Sequence, residues 1–312
     1  MWGGARIRLH RIRFQAGALC LALFPLSGLA QINVTIAPPD PQRPSAQDAA
    51  PARADTHSGL PTGAFNVVFK GGGLAPKHRN PNISYALDPN REQFFVYVPT
   101  NYTGSTPFGL VVFTDPGDNV EGVPAGWIGV LESRKLLFVA AHNAGNREVY
   151  ARRMGLAVLG ALEMMRHYRI DPARVYASGF SGGARIAGRL GFFQSDVFHG
   201  TIQNSGADFY RPVAKVYATS STDTAGLPYG IFHASAAEVE AARRVRFVLI
   251  TGSNDFRRGN ILDVYYGGFA KSAIQSKLFD VPGLSHDTCD GETFLAALDF
   301  IEGTGIPVST RP

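Results

Sequence analysis

From Ala64 onward the chain alternates short apolar runs with segments whose apolar residues recur at helical spacing, which predicts an α/β sheet with crossover helices. Asn66 to Phe69 and Gln93 to Val98 read as early strands, the second ending at Pro99. Leu110 to Phe113 and Leu136 to Ala141 are continuous apolar runs, the pattern of parallel strands covered on both faces. Between Arg147 and Tyr168, Tyr150, Met154, Val158, Leu162 and Met165 fall on one helical face, and Asp171-Pro172 reads as the stop. Strands at Val175 to Ala177, Thr201 to Asn204, Val245 to Thr251 and Lys277 to Val281 follow, with helices over Ile261 to Ile274 and Glu292 to Ile301. No segment repeats at the roughly 20 to 50 residue period of solenoids.

The pattern fails at the N-terminus and in one internal piece. Arg6, Arg8, Arg11 and Arg13 precede an apolar run from Ala16 to Leu26, and Gly28-Leu29-Ala30 resembles a signal-peptidase site, so residues 1–30 read as a signal peptide. The expected product is a secreted or periplasmic protein with no stable membrane insertion, because no later stretch is apolar for long enough to span a bilayer. Residues 31–63 are rich in Pro and Ala and read as a disordered linker, which leaves 64–312 as one catalytic-sized domain. Residues 206–244 carry few strand signals, several aromatics and a helix-like Ala234 to Arg243. They follow the strand after the Ser181 turn, where a lid or substrate wall would stand, and an ordinary peripheral helix and loop is the plainer reading.

Charge and cysteine narrow the partners. Loss of four arginines with the leader lowers the formal charge from +5 to about +1, so nucleic acid is a poor match. Cys20 leaves with the leader, and Cys289 then has no partner for an intrachain disulfide; a buried small hydrophobe is its expected role.

The chemistry centres on Val175 to Gly191, VYASGFSGGARIAGRLG. An apolar run leads into Gly179-Phe180-Ser181-Gly182-Gly183, and a helix-compatible segment follows at once: the strand, turn and helix that a G-x-S-x-G nucleophile elbow requires. Such a turn holds its serine in a sparsely allowed conformation, with small residues two before and two after so that strand and helix can approach. It also leaves the Gly182 amide at a helix N-terminus, suited to an oxyanion.

A serine hydroxyl needs a base, and the base an acceptor that fixes its tautomer, in chain order serine, acid, histidine. Asp255 ends the turn Gly252-Ser253-Asn254-Asp255 after one strand, and His286 ends the loop Pro282-Gly283-Leu284-Ser285-His286 after the next. Both loops leave the C-terminal edge where open α/β sheets carry their sites. Asp263 and Asp280 fall inside elements and fit the acid poorly. His142 could line the pocket, while His167, His199 and His233 read as packing or capping residues, and Asp287 and Asp290 as solvated or N-cap residues. The second oxyanion amide is expected from Thr114-Asp115-Pro116-Gly117-Asp118; Pro116 has no amide hydrogen, so Gly117 is the candidate. No HExxH, paired-cysteine or calcium-loop pattern suggests a metal, and Gly71-Gly72-Gly73 lacks the lysine of a phosphate loop.

With these residues in view, DPARVYASGFSGGARIAGRL (Asp171 to Leu190), the Asp255 turn and the His286 loop resemble exported α/β-hydrolases of the polyhydroxybutyrate-depolymerase and feruloyl-esterase-like group, over most of residues 90–302. The resemblance implies an α/β-hydrolase fold, a mostly parallel sheet with helices on both faces. It also implies a cofactor-free serine esterase acting on small or polymeric esters, with Ser181 as nucleophile, Asp255 as acid and His286 as base. The chain departs from the group at Asp115-Pro116, where members usually have His-Gly, and lacks the disulfides some secreted members carry. A serine peptidase of the same fold, or a catalytically silent binding protein on this scaffold, are the other readings.

Overall fold

In a computed structural model of the chain, residues 61–70, 87–218 and 231–304 are described. They belong to the larger of the two units into which the chain divides, Pro44–Pro312; the other, Met1–Arg43, holds none of them. The expected signal peptide, nearly all of the linker, the Gly71-Gly72-Gly73 run and residues 219–230 lie outside the described residues.

A single sheet of eight strands runs in the order β1-β2-β4-β3-β5-β6-β7-β8. The strands are β1 (Gly63–Val68), β2 (Gln93–Val98), β3 (Phe108–Thr114), β4 (Leu136–Ala141), β5 (Ile170–Phe180), β6 (Gly200–Asn204), β7 (Arg246–Gly252) and β8 (Ser276–Val281). β1 pairs antiparallel with β2, and β2 antiparallel with β4; every other pair is parallel. The apolar runs form inner strands β3 and β4, which are buried at every position, as is the more polar β6, whereas the edge strand β1 alternates. This mostly parallel sheet with helices on both faces is an α/β-hydrolase architecture.

Alternation along the strands sorts the core into layers. Leu110 and Val112 of β3 pack with Val158, Ile186 and Leu190 on one face, from α2 (Tyr150–His167) and α3 (Gly182–Phe193). Val111 and Phe113 pack on the other with Leu131, Phe294 and Leu298, from α1 (Ile128–Arg134) and α6 (Gly291–Glu302). A further cluster joins Phe192 and Phe247 to Phe209, Phe232, Ile261 and Phe269, next to α4 (Ala236–Ala242) and α5 (Arg258–Gly267).

Several boundaries differ from expectation for local reasons. α2 ends at His167, because Tyr168 is already extended; Asp171 and Pro172 lie inside β5 rather than forming the stop. α5 ends at Gly267, where Gly267-Gly268 breaks it and a short 3₁₀ turn follows. α1 went unread in the sequence, being seven residues long with only Leu131 buried. Gly63, assigned to the linker, opens β1 with φ of 85°. In the described ends of 206–244, residues 206–209, Phe232 and Ala242 join the core, while 214–217 are exposed. Buried Asp208 pairs with Arg185 and Arg189 of α3, Phe209 is fully buried, and Asp263 of α5 accepts the amides of Val216, Tyr217 and Ala218. The lid expectation for the middle of this piece bears on residues outside the described set.

Candidate active site

β5, β6, β7 and β8 are consecutive parallel neighbours, so their C-terminal ends share one edge. β5 delivers Ser181 there. Its φ of 52° and ψ of −116° lie outside the regions L-residues favour, the strained turn expected of an elbow. The close approach that forces this turn is visible at the flanking glycines. A Cβ on Gly179 would overlap the Gly183 backbone, and one on Gly183 would overlap the Thr114 carbonyl at the end of β3. The Ser181 amide donates to the Asn204 carbonyl at 2.8 Å, which fixes the turn to β6.

Asp255 and His286 arrive from the loops after β7 and β8, and these loops are laced together. The Gly283 amide donates to Ser253 Oγ at 2.8 Å, and the Asn254 amide to the Leu284 carbonyl at 3.1 Å. Gly283, with φ of 78°, makes the turn that aims the histidine back at the sheet.

The side chains meet as a relay. His286 Nε2 lies 3.0 Å from Ser181 Oγ, and His286 Nδ1 lies 2.8 Å from Asp255 Oδ1. Asp255 also accepts from the Arg257 amide at 2.8 Å and from Thr251 Oγ1 at 2.9 Å, and its side chain is fully buried. Burial alone would raise the carboxyl pKa; the donors His286, the Arg257 amide and Thr251 outweigh it and hold Asp255 below its ordinary value. An ionised, hydrogen-bonded carboxylate keeps the proton on Nδ1 and leaves Nε2 free to accept from the serine. The rings of Phe256 and Phe180 flank the imidazole, with centroids 4.2 and 5.1 Å away; Phe256 is 61% exposed.

The rivals have other partners. Asp263 is taken up by the 216–218 amides, and Asp280 pairs with Arg258 at 2.9 Å. His142 binds the Val120 amide and Asn66, which ties β1 to the loop after β3. His167 stacks on Phe69, and Asp290 caps α6 through the Thr293 amide. Cys289 is buried, and burial pushes its thiol well above the ordinary value.

The oxyanion side departs from expectation. Gly182 opens α3, as required, but the Gly117 amide donates to Asp115 Oδ1 at 2.7 Å and so is committed within its own loop. The expectation that Gly117 supplies the second donor needs this correction, and its cause is the aspartate two residues upstream. Desolvation raises the Asp115 carboxyl pKa, against the Gly117 amide and the Arg153 charge.

Sequence reasoning also missed the supports. Asn204, buried at the end of β6, donates from Nδ2 to the Gly179 carbonyl at 3.1 Å and accepts the Cys289 amide. Ser205 Oγ donates to the Asp287 carbonyl at 2.8 Å. This buried polar pair stands where β6 leaves the sheet at the site's edge, which was a readable signal. Arg153, 2% exposed on α2, donates to the carbonyls of Ala144 and Asp115 and locks two loops beside the elbow. Among the described residues, no group of three or more His, Cys, Asp or Glu side chains could hold a metal ion, and no helix is long and apolar enough to cross a membrane.

No family model matches the chain, and no curated protein matches it. Among solved structures, a poly(3-hydroxybutyrate) depolymerase from Bordetella parapertussis is similar at 18% identity over 70% of this chain and 86% of its own, with a TM-score of 0.47. An acetyl xylan esterase from Aspergillus awamori is similar at 12% identity over 76% of this chain and 99% of its own, with a TM-score of 0.49. A dipeptidyl peptidase 4 from Porphyromonas gingivalis is similar at 15% identity over 68% of this chain, which spans 33% of that protein, with a TM-score of 0.47. At such identities and scores the likeness leaves the chemistry to the residues of the site itself.

Proposed function

We propose that the protein is an exported serine hydrolase of carboxylic esters, working through Ser181, His286 and Asp255. The observation that carries this reading is the relay of 3.0 and 2.8 Å from Ser181 Oγ through the imidazole to a buried carboxylate, ending on a serine held in a strained turn. Neutral His286 takes the Ser181 proton at Nε2 as Oγ bonds to the ester carbonyl carbon, and the carbonyl π pair moves onto oxygen. The tetrahedral oxyanion faces the Gly182 amide. As it collapses, the C–O bond to the alcohol breaks and His286 returns its proton to the leaving oxygen. Water, deprotonated by His286, then cleaves the acyl-enzyme and regenerates Ser181. Asp255 stays ionised throughout and stabilises the transient imidazolium. The apolar leader supports export; small and polymeric esters are both compatible substrates.

A second reading, a silent binding protein on the same scaffold, is favoured by the committed Gly117 amide. Turnover of p-nitrophenyl acetate and labelling of Ser181 by a fluorophosphonate separate the two. The hydrolase reading expects both in the mature protein and neither in Ser181→Ala. Labelling-free, inactive wild-type protein would refute it.

A further inference from the structure

Pro116 has no amide hydrogen, and the Gly117 amide is spent on Asp115, so neither of these two residues offers a second backbone donor beside the Gly182 amide. Yet the space beside Gly182 is filled. A Cβ on Gly182 would overlap the Asn146 carboxamide oxygen and lie 3.1 Å from Nδ2. The Gly182 amide and this position share one Cα, so the carboxamide stands beside the first oxyanion donor. Among the described residues the Asn146 side chain makes no hydrogen bond, and a half-turn about its last torsion exchanges oxygen for nitrogen at the same place.

Its backbone is held independently of the side chain. The Asn146 amide donates to the Pro116 carbonyl at 2.8 Å, the Asn143 amide to the Asp118 carbonyl at 2.6 Å, and the Gly145 amide to Asp118 Oδ1 at 3.0 Å. Buried Arg153 ties the Ala144 and Asp115 carbonyls together from beneath. Two loops that follow neighbouring strands are thereby fixed to one another, with the Asn146 carboxamide projecting over the elbow.

We infer that the Asn146 side-chain amide is the second oxyanion donor, a catalytic group that replaces the backbone amide lost to Asp115-Pro116. The inference rests on the Ser181 esterase reading. It explains why residue 182 is glycine: any side chain there would displace the carboxamide. During acylation Nδ2–H donates to the oxygen that receives the carbonyl π pair, and no atom is transferred to or from Asn146.

The test uses the mature protein with p-nitrophenyl acetate and a trifluoromethyl ketone, which forms an oxyanion adduct on Ser181. Asn146→Ala should lower kcat by about 10²-fold or more, the usual cost of one oxyanion donor, with KM within about threefold. Affinity for the ketone should fall by a similar factor. Asn146→Asp, which offers no donor above its pKa, should do worse than alanine. Gly182→Ala keeps its own amide and displaces the carboxamide, so it should match Asn146→Ala, and the double variant should be no slower than either single one. A kcat for Asn146→Ala within about twofold of wild type, with Ser181→Ala inactive, would overturn the inference and leave the esterase reading standing. A loss in which KM rises and ketone affinity is retained would overturn it as well, since the carboxamide would then serve ground-state binding. Wild-type protein without Ser181-dependent turnover would sink the esterase reading itself.

Discussion

The side-chain carbonyl of Asn204 accepts the Cys289 amide at 3.2 Å, joining residues 85 positions apart. Its amide end holds the Gly179 carbonyl, and its backbone carbonyl holds the Ser181 amide. One buried residue thus sets the serine turn and the loop carrying His286 against each other. Asn204→Ala should strand two buried polar groups, at about 1–3 kcal/mol each. We expect a lower melting temperature, and kcat for p-nitrophenyl acetate reduced about tenfold or more at nearly constant KM. Loss of stability with unchanged kcat in the folded fraction would show that Asn204 supports the sheet and not the relay.

Gly182 and Gly183 are adjacent and should respond oppositely to alanine in thermal unfolding. At Gly183 the new methyl meets the Thr114 backbone carbonyl, which cannot move without parting α3 from β3; at Gly182 it meets only the end of a side chain. Gly183→Ala should therefore cost several kcal/mol, in the range of about 1–3 or more for overpacking, while Gly182→Ala should melt close to wild type. Equal melting temperatures for the two variants would contradict this account.

Glu302 closes α6 against two arginines. It pairs with Arg134 and lies 2.6 Å from Arg174, while Tyr176 Oη donates to it at 3.0 Å. Burial pushes its carboxyl pKa up, but these partners prevail and the net shift is downward from 4.5. A lowered folded-state pKa means that the pairing stabilises the protein above 4.5 and is lost as pH falls through the folded value. Glu302→Gln should cost about 2 kcal/mol at pH 7 and flatten the acid limb of the stability profile. Chemical denaturation at neutral pH and at decreasing pH below 4.5 checks the slope; parallel curves for the two proteins would refute it.

Cys289 should be inert. It is buried beside Trp127, whose Nε1 donates to the Cys289 carbonyl at 2.8 Å, and its thiol is pushed far above neutrality by desolvation. An aromatic disulfide reagent should label it only in denaturant. Rapid labelling of native protein would mean that the loop after His286 opens in solution.

Apolar patterning carried the inner strands and the amphipathic helices, because burial is written directly into composition: LLFVAA gives β4 with the same bounds in sequence and structure. The elbow was legible because its geometry demands glycine at two positions. His286 and Asp255 were legible from chain order and from loops at strand ends. Gly117 was not. Whether an amide points at a ligand or at its neighbour depends on the conformation of a four-residue turn, and Asp115 decided it locally. Asn146 and Arg153 escaped for a different reason. Their partners lie across loops separated in sequence, and no periodicity records which loop a fixed guanidinium will bridge.

The lacing of the Asp255 and His286 loops bears on how this molecule would fail. Since Ser253 and Asn254 are fastened to Gly283 and Leu284, a fluctuation that lifts the imidazole away must carry the strand-β7 turn with it. Base and carboxylate then depart and return together, so heating or mild denaturant should silence individual molecules outright instead of leaving a population of slow ones.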